Sequence, residues 1–310
     1  MTERDELLER LDNVSSESEI ADIADNLLAI NPRDPYGLYA SWGLLDHDEQ
    51  LARLDILYDA YEATHALLHE KDSVQDPYND RDSMLFMSIS LYLGFALLER
   101  GEAEEALTVA HTLVHHDEEN FCSSRALLYT AMVHLNMWNE ILDHRMEDKV
   151  ESISGAYAEV LAMLETDEPR EDVDEALFDA ISVDPRIPLY IIGVLEMEEG
   201  TELSNELEPD LFFTISSLIE IWNATEKRTS YISMFAFTFA YLRNYINDKK
   251  EIEFFDNFFK TSDISKKIDD TLFHLNQSEK AGKTKEQLDT EAILATRDIL
   301  KELSSTAPLN

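Results

Sequence analysis

The chain of 310 residues is 44% hydrophobic and 29% charged, which is typical of folded globular proteins and argues against disorder throughout. It contains only eight Gly and eight Pro, and this scarcity favours long helices, because sheet proteins need both residue types for their many turns. The formal net charge of −40 repels phosphate backbones, so it disfavours nucleic-acid binding and favours basic partners.

The net negative charge comes entirely from the first part of the chain. Residues 1–226 hold 12 Lys and Arg against 52 Asp and Glu, a net charge of −40, whereas residues 227–310 hold 13 of each sign and are neutral. We therefore predict two regions, an acidic helical domain over 1–226 and a neutral helical C-terminal region over 227–310. The alternative for the acidic surface is that it only keeps the protein soluble.

Helical periodicity runs along nearly the whole chain and predicts about 13 helices. The first residues are charged and have no apolar core, so we expect no secretory signal. Breaks are expected at 72–82, which holds Pro77, and at 165–174, which holds Pro169 and six acids. The longest strongly apolar stretch, 229–242, is shorter than the ~20 residues that cross a bilayer, so we expect no membrane span.

Two proline-containing segments predict the same helix–turn–helix junction. Residues 31–35 read Asn-Pro-Arg-Asp-Pro and residues 184–188 read Asp-Pro-Arg-Ile-Pro. The residue before a proline is pushed out of the helical region, so Asn31 and Asp184 should each end a helix. The second proline fits the first turn of the next helix, where no N–H donor is needed.

A third junction is predicted between these two by its small residues. Gly94 is followed by Gly101 and then by Ala106, a spacing that lets two helices approach closely around a turn at Gly101. The acids after that turn, Glu102, Glu104 and Glu105, suit the first turn of the second helix, where the helix dipole favours negative charge.

These junctions resemble the tetratricopeptide repeat, a helix–turn–helix unit of ~34 residues. The resemblance covers roughly residues 16–200, is best at 86–118, and is irregular in spacing. It implies an all-α fold, an α-α superhelix of degenerate hairpins, with a groove lined by the first helix of each hairpin. The resemblance places the following residues near that partner-binding groove: Tyr39, Leu91, Phe95, Arg125, Leu128 and Met132.

Arg125 is a rare cation in the acidic region, and its guanidinium can bind a carboxylate with two hydrogen bonds. The alternative is an ordinary salt bridge to one of the many neighbouring acids.

The remaining motifs give no evidence of catalysis. His65 and His69, like His111 and His115, have a spacing that can bind zinc, but neither pair belongs to a metal motif. The acids of 72–82 lack the EF-hand spacing. Cys122 is the only cysteine, which fits a reducing cytoplasm and an inert core thiol. Phosphate-binding loops and nucleophile elbows are absent from the sequence, so we expect no enzyme, no cofactor and no metal.

The C-terminal region carries two aromatic stripes at helical spacing, and these predict a cap on the solenoid or a surface for a second partner. The first stripe comprises Ile232, Phe235, Phe239, Leu242 and Ile246, and the second comprises Phe254, Phe255, Phe258 and Phe259. The polar segment 278–285 is interpreted as a flexible joint. The helix after it either packs back on the chain or forms a detachable tail.

The sequence as a whole favours a cytoplasmic adaptor or chaperone-like module that binds a basic protein segment. The alternative from a different class is a regulator that senses a small peptide.

Overall fold

The computed structural model describes residues 2–71, 76–197, 209–246, 249–261 and 264–306. Within these ranges the chain forms seventeen helices, with a helix content of 77%, and no strand. The all-α prediction is confirmed. The prediction of about 13 helices was too low because several turns lack Pro or Gly.

The chain divides into two compact units, the first ending at Met137 and the second beginning at Trp138. The described residues of unit 1 form eight helices: α1 (Glu3–Leu11), α2 (Glu17–Ile30), α3 (Pro35–Gly43), α4 (His47–Ala52), α5 (Leu54–His69), α6 (Arg81–Glu99), α7 (Ala103–His116) and α8 (Ser124–His134).

Helices α3, α5, α6, α7 and α8 of unit 1 each pack against the next in this order. Tyr39 of α3 and Tyr92 of α6 lie 6.3 Å apart between ring centroids, and α6 also packs against α8. Between these three helices, α5 contacts α3 and α6, and α7 contacts α6 and α8. The fully buried side chains of Leu57, Phe86 and Leu127 lie in the core of this unit.

The predicted helix junctions are confirmed at residue level. Asn31 ends α2, and Asp34 caps α3 by accepting hydrogen bonds from the N–H groups of Tyr36 and Gly37, while Pro35 occupies the first turn. At the equivalent junction Asp184 ends the preceding helix and Pro188 lies in the first turn of the next. Gly101 makes the turn after α6 with a φ of 77°, a conformation that glycine adopts without steric cost.

In unit 2 the residues that the structure describes form nine helices: α9 (Trp138–Glu147), α10 (Ile153–Glu165), α11 (Arg170–Val183), α12 (Ile187–Ile191), α13 (Pro209–Asn223), α14 (Glu226–Leu242), α15 (Lys249–Thr261), α16 (Ser265–Lys280) and α17 (Lys285–Thr306). The change of composition at Glu226 coincides with the start of α14, inside this unit.

The C-terminal helices of unit 2 are packed together. All five residues of the first aromatic stripe are buried, whereas in the second stripe Phe255 and Phe259 contact Tyr241 and leave Phe254 and Phe258 exposed. Segment 278–285 is the end of α16 and a short turn before α17. Helix α17 packs against α11, α14 and α16. The last helix therefore packs back on the chain and does not form a detachable tail in this structure.

Among the described helices, one, α6, is long and apolar enough to cross a membrane by length and composition. Its most apolar 18-residue stretch is 67% buried in the structure, which is typical of a core helix.

Candidate functional site

The six residues predicted to line a groove lie on three neighbouring helices of unit 1, but most of their side chains are packed inside it. Leu91, Leu128 and Met132 are at most 6% exposed. Tyr39 and Phe95 are half-buried, and burial raises the pKa of Tyr39 well above its usual range, which keeps the phenol neutral. In this structure the set does not form an open surface, because a partner would have to displace core packing.

Arg125 is also buried, at 5% exposed, and holds the connection between α7 and α8. Its guanidinium donates to the main-chain carbonyl of Asp117 over 3.3 Å, and its own N–H donates to the side chain of Asn120 over 3.0 Å. Asn120 and Ser123 both have a φ of 59°, so the connection is tightly wound. These contacts give Arg125 a structural role in this turn.

Cys122 lies in the same connection and is half-buried. Burial, with a smaller effect from the Asp117 carboxylate, raises the pKa of its thiol to about 12. Since the thiolate is the nucleophile, a thiol that stays protonated at neutral pH is unreactive.

Metal ligands could come from the two histidine pairs or from the Asp-rich loop. Within the described ranges no group of three or more His, Cys, Asp or Glu is arranged to hold a metal ion. The Asp-rich loop begins at Asp72, which lies outside those ranges. Two of its other carboxylates, Asp80 and Asp82, form ion pairs with the ammonium of Lys71.

Unit 2 contains an open groove, whereas the six residues predicted to line one are mostly buried. It has a volume of about 800 Å³ and runs between α10, α11 and the connection after α9. Its floor is apolar and built largely of small side chains: Ala156, Met163, Ala176, Ala180 and Val183. Alanines make the floor low, so that a partner's side chains can enter between the two helices.

One wall of the groove is a row of carboxylates on α11. Asp172, Glu175 and Asp179 are spaced by three and four residues, so they share one helix face. All three are exposed, and in the part of the chain that the structure describes none of them has an ion-pair partner. The row is ~10 Å long, given a rise of 1.5 Å per residue, and its charges attract cations of a partner.

The opposite wall carries mixed charge. Arg145 pairs with Glu159 over 3.0 Å, and this wall also includes Asp148, Lys149 and Glu151. The two walls therefore differ, since one combines both signs and the other is purely acidic. This asymmetry can orient a bound segment.

The groove was missed from the sequence because residues 165–174 were interpreted as a break. In the structure the break is short and α11 begins at Arg170. The signal was present in the spacing of the three acids beside Ala176 and Ala180.

Comparison with known proteins gives no relative: no family model, no curated protein and no solved structure matches this chain.

Proposed function

We propose that this protein is a non-catalytic, cytoplasmic interaction module that binds a basic segment of a partner protein. The observation that carries this proposal is the α10–α11 groove, where an apolar floor lies beside three carboxylates that have no ion-pair partner among the residues the structure describes. A partner segment would insert apolar side chains between the helices, and its Lys or Arg residues would lie along Asp172, Glu175 and Asp179. Nucleic acid is a poor ligand for this surface, because its phosphates are repelled.

We further infer that unit 1 is a degenerate helical repeat of the tetratricopeptide kind. The alternation of α3, α6 and α8 with α5 and α7 supports this inference. So does the close approach of α6 and α8 at Gly94, where an added Cβ would lie 2.2 Å from a side-chain carbon of Leu127. The expected surface for a partner nevertheless moves from the buried side chains of unit 1 to the groove of unit 2.

Binding of basic peptides tests the proposal. Fluorescently labelled peptides with Lys or Arg every three to four positions and apolar residues between them would be titrated by anisotropy, with peptides of the same composition but acidic charges as controls. The triple variant Asp172→Asn, Glu175→Gln, Asp179→Asn should weaken binding roughly tenfold, equivalent to about 1.4 kcal/mol. Most of the change should appear in the association rate, which should also fall as salt is raised.

A matched control separates the groove from the overall charge. The exposed acids of α2, changed as Glu19→Gln, Asp22→Asn, Asp25→Asn, alter the net charge by the same amount at a different place. This variant should bind nearly as the unaltered protein does. Equal losses from both triple variants would mean that only net charge matters, and preference for acidic peptides would refute the proposal.

The peptide-sensing regulator remains the second candidate, and it predicts a different response. A sensor should change its shape or oligomeric state when the peptide binds, which small-angle scattering and size-exclusion chromatography would detect. An adaptor should keep its shape and co-purify with a protein that contains the basic segment.

A further inference from the structure

Two of the nine histidines of the chain contact one phenylalanine in unit 1, and each of the two has a further histidine beside it. The ring of His116 on α7 lies 4.8 Å from that of Phe86 on α6, and the ring of His65 on α5 lies 5.6 Å from it. His69 contacts His65 over 4.4 Å between ring centroids, and His115 contacts His116 over 5.7 Å. Imidazoles from α5 and α7 thus flank the buried Phe86 of the helix between them.

We propose that this four-histidine cluster is a pH-sensitive latch, which holds α5, α6 and α7 together while the imidazoles of His65 and His116 are neutral and loosens the three helices when these two become protonated. Neutral imidazoles pack as aromatic rings against Phe86, whose side chain is 0% exposed. Protonation of His65 and His116, which are both half-buried, would place two positive charges beside an apolar ring, at the cost of desolvation and mutual repulsion.

The charged groups around the cluster come from the connections that follow α5 and α7. Glu118 and Glu119 follow α7 and line a cavity of about 430 Å³ with His115, His116, Lys71 and Tyr78. Lys71 is held by the carboxylates of Asp80 and Asp82. The buried Asp117 accepts hydrogen bonds from the main-chain N–H groups of Cys122 and Ser124. From α5 the other facing group is the ring of Tyr61, stacked on His65, and α6 contributes only Phe86 to these ring contacts.

The direction of the pKa shifts agrees with this arrangement. Burial is the largest cause that lowers the pKa of His116, followed by the charges that His115, His65 and His69 would carry. Burial and His69 lower the pKa of His65. Both fall below the ordinary value of 6.5, so the unfolded chain takes up protons at these positions before the folded chain does. The stabilisation is therefore complete above about pH 6.5 and is lost as the pH falls below that value.

Histidine titration by NMR in the full-length protein, with EDTA present to remove metal ions, tests the coupling. His116 should titrate below 6.5, and the variant His65→Gln should raise its pKa by removing one of the charges that oppose its protonation. The control His111→Gln lies on the same helix as His116 and is exposed, and it should leave that pKa unchanged. A pKa of His116 at or above 6.5, or one that His65→Gln does not move, would overturn the proposal.

Stability measured at two pH values supplies a second readout. Urea unfolding of the full chain at pH 7.5 and pH 5.5 should show a loss of stability on acidification that is smaller in the variant His65→Gln, His116→Phe, because all other titrating groups are unchanged. An identical loss in both proteins would show that the cluster does not respond to pH as proposed, even if the variant is less stable at both pH values.

Discussion

Gly94 lies where α6 and α8 approach each other too closely for a larger residue. A Cβ built on it would lie 2.2 Å from Cδ2 and 2.7 Å from Cδ1 of Leu127, whose side chain is 0% exposed. Glycine destabilises a helix by roughly 0.5–1 kcal/mol relative to Ala, and at this position the close packing of the two helices offsets that effect.

The substitution Gly94→Ala should therefore destabilise the protein by about 1–3 kcal/mol, the range typical of overpacked cores. Urea unfolding would measure the change. The matched control is Gly43→Ala, where nothing lies within 4 Å of the added Cβ, and it should be neutral or stabilising by up to about 1 kcal/mol. If both substitutions stabilise the protein equally, α6 and α8 are not in contact at Gly94.

Asp34 combines a helix cap with an ion pair. Its buried carboxylate accepts hydrogen bonds from Tyr36 and Gly37 and binds the guanidinium of Arg4 over 2.6 Å. Asp34→Ala removes both interactions and should cost about 1–2 kcal/mol, mainly through the cap. Asp34→Asn keeps a capping oxygen and should cost less, since Arg4 is one third exposed and its pairing is weakened by solvent. Thermal unfolding would distinguish the two, and equal losses would assign the effect to the ion pair.

At the scale of single elements, α17 decides whether the end of the chain is a tail or part of the core. Its apolar face includes Leu288, Ala292 and Ile299, all buried, and Arg297 lies over the ring of Phe178 at 5.1 Å. Asp289 accepts a hydrogen bond over 2.6 Å from the guanidinium of Arg243, the residue that follows α14. A truncated protein that ends at Glu226 would therefore expose core side chains of unit 2. Loss of partner binding in such a protein could reflect misfolding, so truncation is a poor test of binding.

The substitution Ile299→Ala should destabilise unit 2 by about 2–5 kcal/mol, because the side chain is fully buried. Leu294→Ala on the same helix is the control, since that side chain is 56% exposed and a surface change usually stays within about 0.5 kcal/mol. Circular dichroism during urea unfolding would record both. Equal, small effects would indicate that α17 detaches in solution.

At the scale of the whole molecule, the net charge of −40 opposes compactness through repulsion among the acids. Adding NaCl from low ionic strength to about 0.15 M shortens the screening length to roughly 8 Å. The melting temperature measured by scanning calorimetry should therefore rise with salt. A melting temperature that falls would mean that ion pairs between opposite charges outweigh the repulsion.

The sequence alone determined the helical class and the main junctions, because these depend on local chemistry. Gly and Pro scarcity, a period of three to four residues, the prolines after Asn31 and Asp184, and the glycine at 101 each act within a few residues of the chain. The two units, by contrast, divide at Met137, where composition does not change, since contacts between distant residues decide that division.

Only the tertiary structure decided which faces are buried and where a partner could bind. Leu128 and Arg125 have the helical positions expected of groove residues, yet both are packed inside unit 1, because neighbouring helices cover that face. Asp172 and Ala176 belong to a candidate site because α10 packs beside α11 and leaves the face of α11 that carries them open to solvent. Periodicity defines the faces of a helix, but the elements that pack against it determine which face meets solvent.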